Sequence, residues 1–339
     1  MFKALVRLSA LLGVWLILSS AEAVAEQLKF EHLFNIGSAG VGEGEFQYAE
    51  DFAFSKEGHL LVTDASHAWV QVFDKITGKF MTRFGGQGDD DHQLDKPEGI
   101  AVDSDGNIFV ADYKTGFIKK YDASYKWLLT FSEYGSEKGQ NMKSEFLDIR
   151  DGRLYVPDAG NHRIDVFDLS GNFLFDFGGY GSALGQLNSP EAAKFSSEGK
   201  LYVADLKNDR VQVFNADGRA LIAFGRGGTA AGEFKAPAGL AFDKDDNVYV
   251  TEIGNNRVQV FDKTGRFLTM WGRTGSGNGQ FGSPHGIIID KATGNVYVAD
   301  TANKRVQVFK PVHGIEIPFN PRGQAFSTRE VKLRAVTPK

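Results

Sequence analysis

Short apolar segments alternate with clusters of turn-forming residues along most of the chain, without the 3.6-residue spacing of an amphipathic helix. In one representative stretch, apolar segments at 100–102, 108–111, 118–121 and 127–131 are separated by short polar segments rich in Asp, Ser, Gly and Lys. Apolar segments of this length, bounded by turn residues, predict four short β-strands in a row. We therefore expect an all-β protein built from four-stranded units.

The four-stranded unit is repeated. A segment that reads VQVF in four of its copies occurs six times, and the closing aromatic residues lie 48, 46, 47, 47 and 48 positions apart. These aromatic residues are Phe73, Tyr121, Phe167, Phe214, Phe261 and Phe309. An acidic residue precedes each by nine positions, namely Asp64, Asp112, Asp158, Asp205, Glu252 and Asp300. A constant interval of this size is typical of repeats that pack on their neighbours, so six four-stranded units predict a six-bladed β-propeller over residues 26–310.

The two ends of the repeat complement each other. Residues 30–37 (FEHLFNIG) resemble the fourth strand of the other copies, whereas the sixth copy ends after its third strand, at Phe309. We expect the N-terminal strand to complete blade six, because this pairs two strand edges that would otherwise be exposed. Residues 311–339 show no repeat and are predicted to form a C-terminal tail.

Residues 1–25 have the layout of a secretory signal peptide. Lys3 and Arg7 precede an apolar run at 8–18, and a small-x-small site ends at Ala25. The apolar run is short for a membrane span, so we expect cleavage near Ala25 and a secreted or periplasmic protein. An uncleaved anchor is the alternative.

The composition narrows the classes of partner. The chain has 339 residues, a net charge of −5 and no cysteine. A mildly acidic protein lacks the positive potential that nucleic-acid binding requires, and a chain without cysteine has no disulfides or thiolate metal sites. We expect a monomer without a membrane span after signal cleavage, whose partner is a protein, a peptide or a small molecule.

Four copies share an Asn-x-Arg pattern before the VQVF-type segment, and the stretch at 201–214 (LYVADLKNDRVQVF) resembles the NHL repeat, as do 248–261 and 296–309. The resemblance extends over residues 30–309 and implies a six-bladed propeller, usually a binding module. A minority of similar propellers are metal enzymes, including the lyase that cleaves peptidyl-hydroxyglycine. In that lyase histidines before the innermost strands hold zinc, and here only His285 matches, so the resemblance does not extend to that activity.

The four arginines occupy the same position in their copies, which allows two interpretations of their role. A ring of guanidinium groups could bind an anionic ligand. Alternatively, each arginine pairs with the repeated acid of its own copy while the asparagine caps the loop, and we favour this structural role. It concerns Arg163, Arg210, Arg257 and Arg305 with Asp158, Asp205, Glu252 and Asp300.

The residue just before each innermost strand is the main candidate for chemistry. Read around the six copies it is Glu50, Glu98, Glu145, Glu191, Ala238 and His285. Pseudosymmetry brings equivalent positions together around the axis, on the face where the innermost strands begin, here called the upper face. Carboxylates in contact repel by about 4 kcal/mol per pair at an effective dielectric constant near 20, so they must be spaced apart, protonated, paired with cations or bound to a metal.

The first hypothesis for this ring is a metal site in which Glu50, Glu98, Glu145, Glu191 and His285 are ligands. Carboxylates suit calcium or manganese, and one imidazole is also compatible with zinc or iron. The alternative is that the glutamates contact backbone amides or solvent at the rim, with Lys194 and Asp148 forming structural pairs nearby.

Copies one and two lack the arginine and carry aromatic residues in the same loops. Trp69 and Phe117 replace the arginine, with His67 and Tyr113 close by. Aromatic residues on exposed loops are candidates for ligand or partner binding, and packing between blades is the alternative.

Two functions follow from these residues. The first is an exported binding or scaffold module that acts through its upper face. The alternative is a metal-dependent lyase or hydrolase that uses the Glu/His ring. The sequence assigns no catalytic residue, leaves open whether the protein is an enzyme, and admits one cofactor, a divalent cation such as calcium or zinc.

Overall fold

The structure is a computed structural model that describes residues 26–315, and the side chains of residues 28–312. The predicted signal peptide and nearly all of the predicted tail lie outside the described residues. None of the helices in the described part is long and apolar enough to cross a membrane.

Six four-stranded antiparallel sheets form a ring, and the innermost strand of each sheet packs against the innermost strands of its two neighbours. The innermost strands of blades one to six are β4 (Ala49–Phe54), β8 (Pro97–Val102), β12 (Asp148–Arg150), β16 (Pro190–Phe195), β20 (Pro237–Phe242) and β24 (Pro284–Ile289). The second strands are β5 (Leu60–Asp64), β9 (Ile108–Asp112), β13 (Arg153–Asp158), β17 (Leu201–Asp205), β21 (Val248–Glu252) and β25 (Val296–Asp300). The prediction of an all-β six-bladed propeller is confirmed.

The outer strands follow the same order. The third strands are β6 (Trp69–Phe73), β10 (Ile118–Tyr121), β14 (Arg163–Asp168), β18 (Arg210–Phe214), β22 (Arg257–Phe261) and β26 (Arg305–Ile315). The fourth strands are β7 (Phe80–Gly85), β11 (Trp127–Phe131), β15 (Phe173–Gly178), β19 (Ala220–Phe224), β23 (Phe267–Trp271) and, in blade six, β1 (Glu26–Ile36). A two-residue parallel pair, β2 (Ser38–Ala39) and β3 (Glu45–Phe46), follows β1.

The ring closes through the two ends of the repeat, as predicted, because β1 lies beside β26 in the sheet of blade six. One detail differs from the expectation. The strand β26 continues to Ile315, past the predicted domain end at 310, alongside a β1 of equal length. Phe30 of β1 also stacks on Trp271 of blade five, with ring centroids 3.7 Å apart, so the closing strand contacts two blades.

The core lies between neighbouring blades. The second-strand tyrosines Tyr155, Tyr202 and Tyr297 are buried, and each donates its hydroxyl hydrogen to a turn of the next blade. Tyr155 donates to the Ala216 carbonyl at 2.9 Å, and Tyr297 of blade six donates to the Lys75 carbonyl of blade one at 3.0 Å. An aromatic ring with a satisfied polar tip supplies apolar burial without an unpaired hydroxyl.

Close backbone contact holds the innermost strands together at the upper face. A Cβ atom at Gly99 would collide with the carbonyl oxygen of Glu145, and one at Gly286 with that of Glu50. The Thr63 hydroxyl donates to the Glu98 carbonyl of the next blade at 2.7 Å. These contacts bring the first residues of the innermost strands to the mouth of the central channel. Glu50, Glu98, Glu191 and His285 are the second residues of their strands and do not precede them as predicted, whereas Glu145 does precede β12.

A candidate ligand site at the channel mouth

The predicted glutamate ring is present and largely buried. Glu50, Glu98 and Glu145 are only 2 %, 5 % and 4 % exposed. Burial and then the neighbouring glutamates raise the pKa of Glu50 and of Glu145 well above the usual range. Burial and then Glu98 raise the pKa of Glu191 to about 8. The four carboxyl groups therefore share one site, in which Glu191 is mainly protonated at neutral pH and the protonated forms of Glu50 and Glu145 are favoured.

A lysine that sequence analysis missed compensates the remaining charge. The Lys96 ammonium pairs with Glu98 and lies 3.8 Å from the ring centroid of Tyr113. Burial alone would lower the pKa of Lys96, but Glu98 outweighs it and raises that pKa. Glu145, when protonated, donates a hydrogen bond to the Glu98 carboxylate. The clustered carboxyl groups thus avoid mutual repulsion in two of the ways that the sequence left open, by protonation and by the pairing of Glu98 with the Lys96 cation.

Two tyrosines and one histidine complete the site, which we call the channel mouth: Tyr48, Glu50, Lys96, Glu98, Tyr113, Glu145, Glu191 and His285. Burial and then the charge of Glu50 raise the pKa of Tyr48 to about 12, and burial with Glu145 does the same for Tyr113. The ring of His285 lies 5.7 Å from that of Tyr48. Tyr48, like Lys96, stands outside the aligned positions, so the repeat did not indicate it.

His285 is held as a neutral base. Burial lowers the pKa of His285 to about 4. Its Nδ1 lies 2.9 Å from the Ser283 carbonyl oxygen, which can only accept, so Nδ1 carries the proton and Nε2 keeps its lone pair.

The geometry gives the metal hypothesis little support. Within residues 28–312, no group of three or more histidine, aspartate or glutamate side chains is arranged to hold a metal ion. Glu98 is instead paired with Lys96 and accepts a hydrogen bond from protonated Glu145. A calcium or zinc site at Glu50, Glu98, Glu145, Glu191 and His285 stays a prediction.

Below the mouth, an ion pair crosses the channel. The Lys194 ammonium of blade four lies 3.1 Å from the Asp51 carboxylate of blade one, the blade opposite in the ring. Lys194 also donates to the Leu147 carbonyl at 2.9 Å. Asp148 accepts instead from the backbone amide of Phe195 at 2.8 Å. The expected local pairing of Lys194 is therefore replaced by a pair that spans the channel.

The four arginines contact their repeated acids, as the structural interpretation predicts. Arg210 Nε lies 2.8 Å from the Asp205 carboxylate, and Arg305 Nε lies 2.8 Å from that of Asp300. Arg257 Nε donates to Glu252 at 2.5 Å, and its other nitrogens donate to three loop carbonyls. Because their donors are used within the loops, these guanidinium groups do not present an open fork to an anion.

Blade three contains an exception. Its third strand carries Asp165 where four other copies have glutamine, and Arg163 lies 3.0 Å from Asp165 and 3.5 Å from Asp158. Burial raises the pKa of Asp165 to about 8; Arg163 opposes this rise, and Asp158 adds to it. The signal was visible in the sequence as IDVF in place of VQVF.

In blade one, other residues take over the role of the Asn-x-Arg pair. His67 Nδ1 lies 2.7 Å from the Asp64 carboxylate. The guanidinium of Arg83, from the fourth strand, lies 3.8 Å from the ring centroid of Trp69. His67 and Trp69 thus contact each other and groups of their own blade.

In blade two, Phe117 and Tyr113 lie in different surroundings. The Lys119 ammonium lies 5.8 Å from the Phe117 ring centroid and donates to the Asp91 carbonyl of the neighbouring loop at 2.9 Å. Tyr113, in contrast, lies at the channel mouth beside Lys96. Of the four aromatic-loop candidates, Tyr113 is the one that the structure joins to the glutamate ring.

Comparison with known proteins agrees with this architecture. The family model of the NHL repeat matches residues 94–121, and a 6-bladed beta-propeller family model matches residues 242–310. A search of curated protein sequences finds no match. Together with the ring of six four-stranded sheets, the matches define the class as a six-bladed β-propeller. One segment of the chain thus matches the NHL repeat, and the chain as a whole folds as a six-bladed β-propeller.

Solved structures of several functions share the fold. Virginiamycin B lyase from Staphylococcus aureus aligns with a TM-score of 0.58 and 13 % identity, over 85 % of this chain and 100 % of that one. An auxiliary nutrient binding protein from Bacteroides thetaiotaomicron aligns with a TM-score of 0.62 and 14 % identity, over 85 % and 77 %. A gluconolactonase from Xanthomonas campestris gives 0.62 and 14 %, over 83 % and 99 %. At such identities the fold alone is shared, and it serves lyases, lactonases and binding proteins alike.

Proposed function

We propose that the protein is an exported binding module whose channel mouth takes the cationic group of a peptide or small molecule. The observation that carries this proposal is the position of the Lys96 ammonium, which lies between the Glu98 carboxylate and the face of Tyr113. The site already accommodates one ammonium by charge pairing and by a cation–π contact, the two interactions that recognise amines.

The protonated carboxyl groups could bind a second cation by losing their protons. Burial and then the neighbouring carboxylates disfavour the charged forms of Glu50, Glu145 and Glu191 and raise their pKa values. An incoming ammonium reverses that balance, since an opposite charge nearby favours ionisation. Binding should therefore release protons, and affinity should rise as pH rises toward and past 8.

Calorimetric titration with putrescine tests this, with 1,4-butanediol as an uncharged ligand of the same length. We expect putrescine to bind at least about tenfold more tightly at pH 8.5 than at pH 6, and butanediol not to bind. Glu191→Gln should weaken putrescine binding about tenfold, whereas Glu198→Gln, in an exposed turn, should leave it unchanged. Putrescine affinity that does not change with pH, or equal effects of the two variants, would contradict the proposal.

A second candidate is an enzyme, because one observation favours acid–base chemistry at the same mouth. Neutral His285 has a free Nε2 lone pair, while Glu191, with a pKa of about 8, still holds a proton at pH 7. Such a pair can accept and donate protons in lyase or hydrolase reactions. Hydrolysis of gluconolactone, assayed with and without added calcium or zinc and abolished by His285→Ala, would support the enzyme over the binding module.

A further inference from the structure

The lower half of the channel is a cavity of about 440 Å³, separate from the channel mouth. Its wall is largely apolar and takes residues from the lower ends of five innermost strands: Phe54, Val102, Phe195, Phe242 and Ile289. None of the glutamates of the mouth is among the residues that line it. The volume falls within the roughly 300–1,000 Å³ of small-molecule sites.

The inner end of this cavity is polar. The ammonium of Lys194 donates to Asp51 and to the Leu147 carbonyl, and an ammonium has three hydrogens to donate. Among the described residues, the third has no acceptor. Asp148, beside Lys194, accepts from the backbone amide of Phe195, and burial raises the pKa of Asp148. An acceptor entering the cavity would therefore meet an available N–H of Lys194 at its inner end.

Two lysines of the cavity can interact with an anion. The lining contains three lysines and two aspartates, and a third aspartate, Asp51, pairs with Lys194. At the open end, Lys75 and Asp290 neutralise each other across 3.0 Å. Lys291 is exposed and forms no ion pair within the part of the chain that the structure describes. Apolar walls, an available N–H of Lys194 at the inner end and the exposed Lys291 at the open end suit a ligand that has an apolar body and one acidic group.

We propose that the lower half of the channel binds a small carboxylic acid with a flat apolar body. The carboxylate accepts a hydrogen bond from Lys194 at the inner end, and the body packs against the Phe54, Phe195 and Phe242 side chains. This site is independent of the channel mouth, because the Lys194–Asp51 pair lies between the two.

Naphthalene-2-carboxylate serves as the probe, with naphthalene-2-carboxamide as the uncharged control of the same shape, in calorimetric titrations of the full chain. The wild type should bind the carboxylate at least about tenfold more tightly than the amide, because only the carboxylate forms a charge-assisted bond with Lys194. Lys194→Met should remove this preference. Lys96→Met, which changes the lysine of the channel mouth, should leave it intact.

Lys194→Met leaves Asp51 without its partner, so a double variant guards against misfolding. Asp51→Asn/Lys194→Met removes both charges and should fold while still binding the two probes equally. Val102→Trp fills the cavity and should abolish binding of both probes. The proposal is wrong if neither probe binds at millimolar concentration, if Lys194→Met and the double variant keep the preference for carboxylate, or if Val102→Trp binds as the wild type does.

Discussion

Replacement of Asp165 by glutamine should stabilise the propeller, increasingly so at higher pH. In blade four the corresponding Gln212 donates to the Gln186 carbonyl at 2.6 Å and to Asp205 at 3.1 Å, and it accepts from the Gly185 amide at 2.9 Å. In blade three Asp165 cannot donate when ionised, and its Oδ1 is buried without a hydrogen-bond partner. Asp165→Gln can restore the full set of bonds.

The magnitude follows from the pKa of Asp165, which burial raises from 3.8 to about 8. Between these values the folded state holds more protons than the unfolded state, so stability falls as pH rises through this window and the loss is complete above pH 8. Each pH unit within the window costs about 1.4 kcal/mol for one such group. Asp165→Gln removes this term, and we expect a gain of about 2–4 kcal/mol at pH 7 and less than about 1 kcal/mol at pH 4.

Urea unfolding of the wild type and the variant at pH 4, 5, 6, 7 and 8, followed by tryptophan fluorescence, measures this difference. Glu50, Glu145 and Glu191 also weaken folding as pH rises, but they are present in both proteins and cancel in the comparison. Gln212→Asp is the reciprocal control and should destabilise blade four with the same pH dependence. A difference between Asp165→Gln and wild type that stays constant across this pH range would refute the reasoning.

Two further variants test the contacts that hold the blades. Arg257→Lys should lower the free energy of unfolding, measured by chemical denaturation, by about 2–4 kcal/mol, because lysine cannot reach Glu252 and three loop carbonyls at once. The control Arg226→Lys, at an exposed position, should lower it by less than about 0.5 kcal/mol. Equal losses would contradict a structural role for Arg257. Thr301→Val should cost about 1–2 kcal/mol, because it removes the hydroxyl that donates to the Ala49 carbonyl at 2.7 Å, and Thr301→Ser, which keeps the hydroxyl, should recover most of it.

The repeat made much of this molecule predictable, because each copy obeys the same local rules. Four strands per copy, the closing role of β1 and the contact between Arg210 and Asp205 follow from spacing and from charge pairing. Lys96 and Tyr48 escaped prediction because they precede the aligned position, and their side chains reach the mouth only once the ring is closed. The Lys194–Asp51 pair escaped for a related reason. The two residues occupy positions two apart in their copies, roughly 7 Å along a strand, and only the long lysine side chain spans the offset.

Comparison between the six copies did not by itself distinguish residues that stabilise the fold from residues that could bind a ligand. Asp165 departs from the repeat by a single residue, and burial raises its pKa to about 8. Trp69, which stood out in sequence, lies against Arg83 of its own blade. A departure from the repeat therefore marks a position whose surroundings differ from those in the other blades. The contacts of that side chain decide whether the difference affects stability or binding.

The pairing of β1 with β26 has a consequence for the order in which the chain can fold during synthesis. Of the described strands, β1 is the first to leave the ribosome and β26 the last, so blade six cannot form while the strands between them are still being made. Until then β1 offers unpaired backbone to any other strand, and contacts this distant in sequence are the slow ones to form. Blades one to five can each assemble from consecutive strands as they emerge, but the sheet of blade six must wait until β26 has been made. Folding of this ring thus ends with a late step in which β1, made first, pairs with β26.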